Sequence, residues 1–283
     1  MAHLENVGRR SSQRVTDFLL KSKSKQLWLQ LEPWLPALVI VLSLTLWECL
    51  ARLGWISVLF FPAPSYILET LLDLIIDGKL APQLGATLWR LSLGILFGCI
   101  PGYLLGLSMG WSPRIRTVVD PLIAAIHPIP KLAIFPLIMI IFGIGENSKI
   151  VAIAVAAFFP MLINSMAGVR QITPVYFEVT QNFGANLWKT FSRVIIPGSL
   201  PVVLSGTRIA INTAIVITIA VELLTAKAGL GVMIWFAWQT LRIEELYASI
   251  IVIGLLGLGA NFTLQKVSNR LAPWYNHQSE KQR

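Results

Sequence analysis

EVTQNFGANLWKTFSRVIIP, residues 178–197, is water-compatible sequence held between two strongly apolar runs. It opens on an acid, turns at Gly184, sets Lys189 and Arg193 beside Trp188 and Phe191, and stops at Pro197. Pro174 ends whatever precedes it. Glu178 is expected in the first turn of a short helix, where a carboxylate favours the positive end of the helix dipole. Gly184 permits the backbone reversal that ends that helix. A second short helix is expected over Asn186–Val194, with Pro197 and Pro201 resetting the chain into the next apolar run. Two short helices at an angle, each tied to a membrane helix, make an element that transmits force or docks a partner. The plainer alternative is an amphipathic helix resting on lipid.

The rest of the chain supplies the membrane. Of 283 residues, 55% are hydrophobic and only 13% are charged, against about 25% charged in soluble domains. The mean hydropathy is +0.69. The net charge of +9 does not form a nucleic-acid-binding stripe, because the basic residues sit in short connectors between apolar blocks, the positive-inside pattern. Cys49 and Cys99 lie inside apolar runs without metal-ligand spacing and are read as packing residues.

A bilayer core needs about 20 apolar residues per helix. Six segments meet or approach that: Leu35–Leu53, Thr87–Met109, Val118–Phe142, Ile150–Val169, Leu200–Leu224 and Leu246–Val267. The expected organisation is a basic segment over 1–34, a transmembrane domain over 35–270 with its connector at 174–197, and a tail over 271–283. The basic N-terminal segment is longer than the n-region of a cleaved leader and is expected to stay inside. With that orientation, Arg114, Arg116, Arg170, Lys189, Arg193 and both tails lie inside, while Arg52, Lys79, Lys149, Lys227 and Arg242 lie outside. This bias of about threefold places both termini in the cytoplasm. Residues 61–80 alternate as an amphipathic surface helix, with Ile67, Leu68, Leu71, Leu72, Ile75 and Ile76 expected on one face and Glu69, Asp73 and Asp77 on the other. Residues 225–246, rich in glycine and aromatics, suit either a re-entrant element at the outer mouth or simple interfacial docking.

The connector resembles the cytoplasmic signature of binding-protein-dependent ABC import permeases: E-A-A, three residues, G, nine residues, I-x-L-P. Here it reads Glu178-Val179-Thr180, Gly184, then Val194-Ile195-Ile196-Pro197, with every spacing kept and two alanines replaced. Residues 87–110, 120–146 and 206–231 are similar to the nitrate/sulfonate/taurine/bicarbonate subgroup. The resemblance implies an all-α polytopic helix bundle of about six transmembrane helices with the type I importer permease fold. It also implies a bacterial plasma-membrane location and a role as permease subunit of an ATP-driven importer that works by alternating access. Glu178, Gly184, Trp188 and Pro197 become the residues of a coupling helix. The implied partners are ABC ATPase subunits, a periplasmic or lipid-anchored solute-binding protein, a second permease copy (commonly as a homodimer) and membrane lipid. ATP and Mg²⁺ are then used by the partner ATPase; this chain carries no cofactor and no GxxxxGK[ST] phosphate loop.

The third span holds Pro121, Pro128, Pro130 and Pro136 around His127 and Lys131. Prolines free backbone carbonyls, which is tolerated in a membrane only beside protein or water, and discontinuous helices commonly build transport sites. An ionisable group there is costly, so Lys131 is a candidate contact for an anion; the alternative is that it neutralises a carboxylate such as Glu222. His127, Lys131, Asn212, Thr213 and Glu222 are the candidate pathway residues. Arg208, read as one to two turns above Pro197, is expected to pin its helix to the headgroups. The glycines at 94, 98, 102, 106 and 110 make a smooth stripe for helix packing. A sulfonate, nitrate or bicarbonate is the expected solute, with a neutral heterocycle such as a vitamin precursor as alternative. An intramembrane enzyme is poorly supplied: His3 and His277 lie in the tails, and no HExxH or Gly-x-Ser-x-Gly pattern is present. A scaffold without transport activity needs neither the broken span nor the connector.

Overall fold

A computed structural model describes residues 34–273 except Ala226. Residues 1–33 of the basic segment and residues 274–283 of the tail, with His3 and His277, lie outside the described residues. All regular elements among the described residues are helical: α1 (Leu35–Arg52), α2 (Pro64–Ile76), α3 (Leu80–Trp111), α4 (Pro113–Ile126), α5 (Phe135–Phe142), α6 (Glu146–Arg170), α7 (Pro174–Asn182), α8 (Leu187–Thr190), a π-helical turn (Phe191–Ile195), α9 (Ile196–Thr225), α10 (Leu230–Gln239) and α11 (Ile243–Leu271). Among the described residues, five runs are long and apolar enough to cross a bilayer: α1, α3, α6, the continuous Leu187–Thr225 helix and α11.

The expected third span is not one helix. α4 starts earlier, at Pro113, capped by Ser112, whose hydroxyl accepts from the Ile115 amide; it therefore takes in Arg114 and Arg116. It stops at Ile126, and turns bridged by Ile129 N–H to Ile126 C=O and Ala133 N–H to Pro130 C=O precede α5. Pro128 and Pro130 lack the amides needed to carry the ladder across, so the helix breaks where the prolines cluster.

The chain falls into two units, one ending at Ile67 and one beginning at Leu68. In the first, Glu48 on α1 accepts the Ser65 amide at 3.0 Å and the Ser65 hydroxyl at 2.8 Å, satisfying a free amide at the start of α2, while Arg52 pairs with the same carboxylate at 2.5 Å. α2 buries Ile67, Leu71 and Leu74 and leaves Leu68, Leu72, Ile75 and Ile76 exposed, so only part of its apolar face is buried.

In the second unit, α3, α6 and α9 are the packed centre. Leu91 of α3, Ile153, Ala157 and Met161 of α6 and Val203, Ala210, Ala214 and Ile215 of α9 form one buried cluster, with Cys99 packed against it. The glycine stripe of α3 lies on α6 along its whole length. A Cβ on Gly102 would fall 2.7 Å from the Phe158 carbonyl, and one on Gly110 2.6 Å from the Val169 side chain. Two backbones this close exclude any side chain at the seam.

Candidate functional site

Chemistry-bearing residues gather at the connector, at the opposite end of α3, α6 and α9, and at the break between α4 and α5.

The connector begins with Pro174 at the first helical position of α7, where its missing amide removes nothing. Glu178 is exposed in the second turn rather than the first, because α7 starts at Pro174. The helix closes in a Schellman arrangement: Gly184 N–H donates to Gln181 C=O at 3.0 Å and Ala185 N–H to Thr180 C=O at 2.9 Å. Gly184 sits at φ +62°, the left-handed conformation this motif requires. Asn186 then caps α8, its Oδ1 accepting the Lys189 amide at 2.8 Å.

From there the expectation of a separate second helix fails. α8, the π turn and α9 are one helix, Leu187–Thr225, passing through Pro197 and Pro201 without a break. The π turn shifts the hydrogen-bond ladder just before Pro197, so the missing proline amide falls at a junction already out of α-register. Ile195 is fully buried with Leu107 and Val169, and Phe177 and Phe191 pack on them. Phe191 also lies against Trp111 of α3 at 5.8 Å and Trp188 at 6.1 Å between ring centroids. Outward, the connector exposes Phe183 (86%), Leu187 (74%) and Trp188 (71%). Behind it is a cleft of about 380 Å³ lined by Gln171, Thr173, Tyr176, Arg193 and Pro197. A rigidly rooted pair of helices with an apolar outer face can be pushed, and it passes that motion straight into α9.

At the far end lies a charge network of which the sequence reading singled out Glu222 alone, and not its partner Arg90. Arg90 of α3 donates through Nη1 to Glu222 at 2.7 Å and through Nε and Nη2 to Glu146 at 2.5 and 3.0 Å; Lys149 adds a bond to Glu146 at 2.8 Å. Arg90, Lys149 and Glu222 are buried, and the Glu146 side chain is half exposed. Glu222 also accepts from the Thr87 hydroxyl and the Gly231 amide, each at 3.0 Å. Thr87 accepts from the Leu230 amide at 2.9 Å, and Gln83 from the Gly229 amide at 2.6 Å. The carboxylate of Glu222 is thus the floor on which α10 begins. A Cβ on Gly229 would come within 2.6 Å of Glu222 Oε1, and one on Gly231 within 2.6 Å of Glu222 Cβ. This explains the glycine-rich sequence there. α10 folds back against α9 and α11, burying Leu230, Val232 and Ala237, so it packs as part of the bundle. The signal available in sequence was a basic residue and two acids placed at the ends of three apolar runs.

Lys131 does not neutralise Glu222. Its ammonium donates to the backbone carbonyls of His127 and, at 2.9 Å, of Ile129, and lies 4.6 Å from the centre of the Phe159 ring. His127 meets the same ring at 5.4 Å. The carbonyls freed by the proline break are thus what hold this cation. Asn212 is exposed, its Oδ1 accepting from Asn261 of α11 at 3.0 Å, while the Thr213 hydroxyl turns back to Ile209 C=O at 2.8 Å. Among the described residues no hydrogen bond or ion pair joins Lys131, Asn212 and Glu222 to one another. Arg208 is not near the connector proline: in a continuous helix its separation from Pro197 is about three turns, roughly 16 Å.

Three comparisons bear on this arrangement. Residues 94–277 match the model of the family described as binding-protein-dependent transport system inner membrane component. The taurine transport system permease protein TauC of Escherichia coli (strain K12) is 36% identical over 241 residues, covering 83% of this chain and 88% of that protein. SsuC of Bacillus subtilis (strain 168), named for aliphatic sulfonates transport, is 32% identical over 242 residues, covering 86% of each chain. In fold, the chain is similar to an inward-facing structure of the MetNI methionine ABC transporter, with a TM-score of 0.58 and 19% identity, over 68% of this chain and 95% of that one.

Proposed function

The chain belongs to the binding-protein-dependent transport system inner membrane components, and on that premise we propose that it carries a small sulfonate-class anion across the plasma membrane by alternating access. The observation that carries this reading is the connector: α7 and α8, rooted by Ile195 and Phe191, feed without a break into α9. A partner ATPase grips the exposed face around Gly184 and Trp188, with Glu178 on the neighbouring turn and Pro197 at the root of α9. ATP and Mg²⁺ belong to that partner, whose closure draws two connectors together and tilts each α9. A solute-binding protein delivers the anion from outside, and a second copy of the chain completes the pore. The resemblance to permeases named for taurine and aliphatic sulfonates supports the substrate class. So does Lys131, a cation with only backbone carbonyls and an aromatic face as partners. On this reading His127, Lys131, Asn212 and Thr213 face the pathway, while Glu222 acts through the network that seats α10.

The test is affinity purification of the tagged permease from membranes, wild type against Gly184→Trp, followed by ATPase assay. Wild type is expected to bring down an ATPase subunit and a solute-binding protein. The variant, whose new side chain meets open space but strains the left-handed backbone at 184 in the middle of the docking face, is expected to insert in the membrane and lose the ATPase. Retention of the ATPase with full turnover by the variant would overturn the connector's role. The recovered binding protein, titrated with taurine and ethanesulfonate, reports the substrate class.

A further inference from the structure

Arg208 is the one charged residue between Arg193 and Glu222. Because the helix is continuous from Leu187 to Thr225, a rise of 1.5 Å per residue sets Arg208 roughly 22 Å from Arg193 and roughly 21 Å from Glu222. The two flanking charges are therefore farther apart than a hydrocarbon core of about 30 Å is thick, with Arg208 midway between them. Its side chain is exposed and has no hydrogen bond or ion pair to any described residue. Ser205, Arg208, Asn212 and Val216 make one exposed stripe along α9, opposite the buried Val203, Gly206, Ala210, Ala214 and Val221. Beside the guanidinium, one turn on, Asn212 uses its carbonyl oxygen to accept from Asn261, which leaves its own amide hydrogens without an acceptor among the described residues.

We propose that Arg208 and Asn212 form an oxyanion-binding position inside the translocation pathway, a proposal that rests on the anion-import reading above. A guanidinium left bare toward lipid at mid-bilayer is too costly to keep, so this face of α9 lines water. The stripe offers N–H donors and a fixed positive charge, and no carboxylate of the described chain competes for them. A planar fork of that kind takes two oxygens of one sulfonate, phosphate or carboxylate at once. α9 is also the helix into which the connector runs, so whatever moves the connector carries this position with it. The same stroke that turns the pore then changes which side of the membrane the anion meets.

The experiment uses the permease assembled with its ATPase and binding protein in proteoliposomes. In a Cys49→Ser, Cys99→Ser background, Arg208→Cys is treated with the sulfonate-bearing reagent 2-sulfonatoethyl methanethiosulfonate, and labelling is expected because the position is wet. Absence of labelling, as when lipid or a second copy covers the stripe, overturns the assignment. In parallel, radiolabelled taurine uptake per ATP hydrolysed is expected to fall on the order of tenfold in Arg208→Gln, the scale of one lost charge-assisted bond. Arg208→Lys should keep part of it by retaining the charge without the fork. Wild-type uptake together with an unchanged ratio in Arg208→Gln overturns this assignment alone. A wild-type complex that takes up neither taurine nor ethanesulfonate overturns the substrate reading, and the assignment with it.

Discussion

Arg90 and Glu222 show how a membrane bundle tolerates ions. Neither is near the other in sequence, and each sits in an apolar run where an unpaired charge is expensive. Their tolerance comes from saturation: the guanidinium is shared between two carboxylates and the Ala228 carbonyl, and Glu222 has further donors in Thr87 and Gly231. Removing one member exposes the desolvation cost of the others. Arg90→Ala leaves Glu222 buried without its cation and is expected to cost about 3–5 kcal/mol. Glu146→Gln costs less, since that carboxylate is half in water. The check is the thermal midpoint of the purified permease in detergent: a clear drop for Arg90→Ala, a smaller one for Glu146→Gln, and partial recovery when Arg90→Met is combined with Glu222→Leu. A midpoint for Arg90→Ala equal to wild type would show that the network does not hold α10 in place.

Elements differ in how much of them a sequence shows. The seam between α3 and α6 was legible, because a glycine every four residues is a local pattern with one physical reading. It predicts a sharp positional contrast. Gly98→Leu drives a side chain into the backbone of Ala154, whereas Gly254→Leu on α11 meets open space. The first is expected to abolish stable membrane assembly and the second to leave it intact, as read by monodispersity of the solubilised protein. The break between α4 and α5 was legible from its prolines for the same reason. The continuity of α8 with α9 was not. Pro197 reads as a stop because it cannot donate a ladder bond, and only the π turn before it, a matter of register against Leu107 and Val169, lets the helix run on. The start of α3 at Leu80 was equally hidden: its first turns carry Gln83 and Thr87, polar residues whose purpose appears only when Gly229 and Leu230 arrive to donate to them.

The same distinction explains the candidate sites. The connector lies within one short stretch and could be read before any folding, while the charge network joins residues more than 130 positions apart and required the bundle. Lys131 and Glu222 were plausible partners by charge alone; what separated them was the supply of nearer ones, carbonyls for the lysine and an arginine for the glutamate.

Orientation follows from which cations are already neutralised. On the side opposite the connector, Lys79 pairs with Asp77, Lys149 with Glu146 and Arg242 with Glu245, which leaves Lys227 there without an acidic partner among the described residues. On the connector side, Arg114, Arg116, Arg170, Lys189, Arg193 and Arg270 have no acidic partner among the described residues, and Lys266 has only the Phe262 ring. Free cations next to a membrane are drawn to the anionic headgroups of the cytoplasmic leaflet, each worth about 1 kcal/mol. Paired ones gain much less. On this pairing pattern, added to the bias in basic residue number, we propose that the connector lies in the cytoplasm. The measurement is single-cysteine labelling in the Cys49→Ser, Cys99→Ser background with a membrane-impermeant maleimide. Phe183→Cys, on the exposed tip of the connector, is expected to react in inverted vesicles and stay silent in right-side-out ones. Lys227→Cys, exposed just before α10, is expected to do the opposite. The reverse pattern would invert the protein and leave the connector out of reach of any cytoplasmic ATPase, so this one comparison also tests the premise on which force transmission through α9 depends.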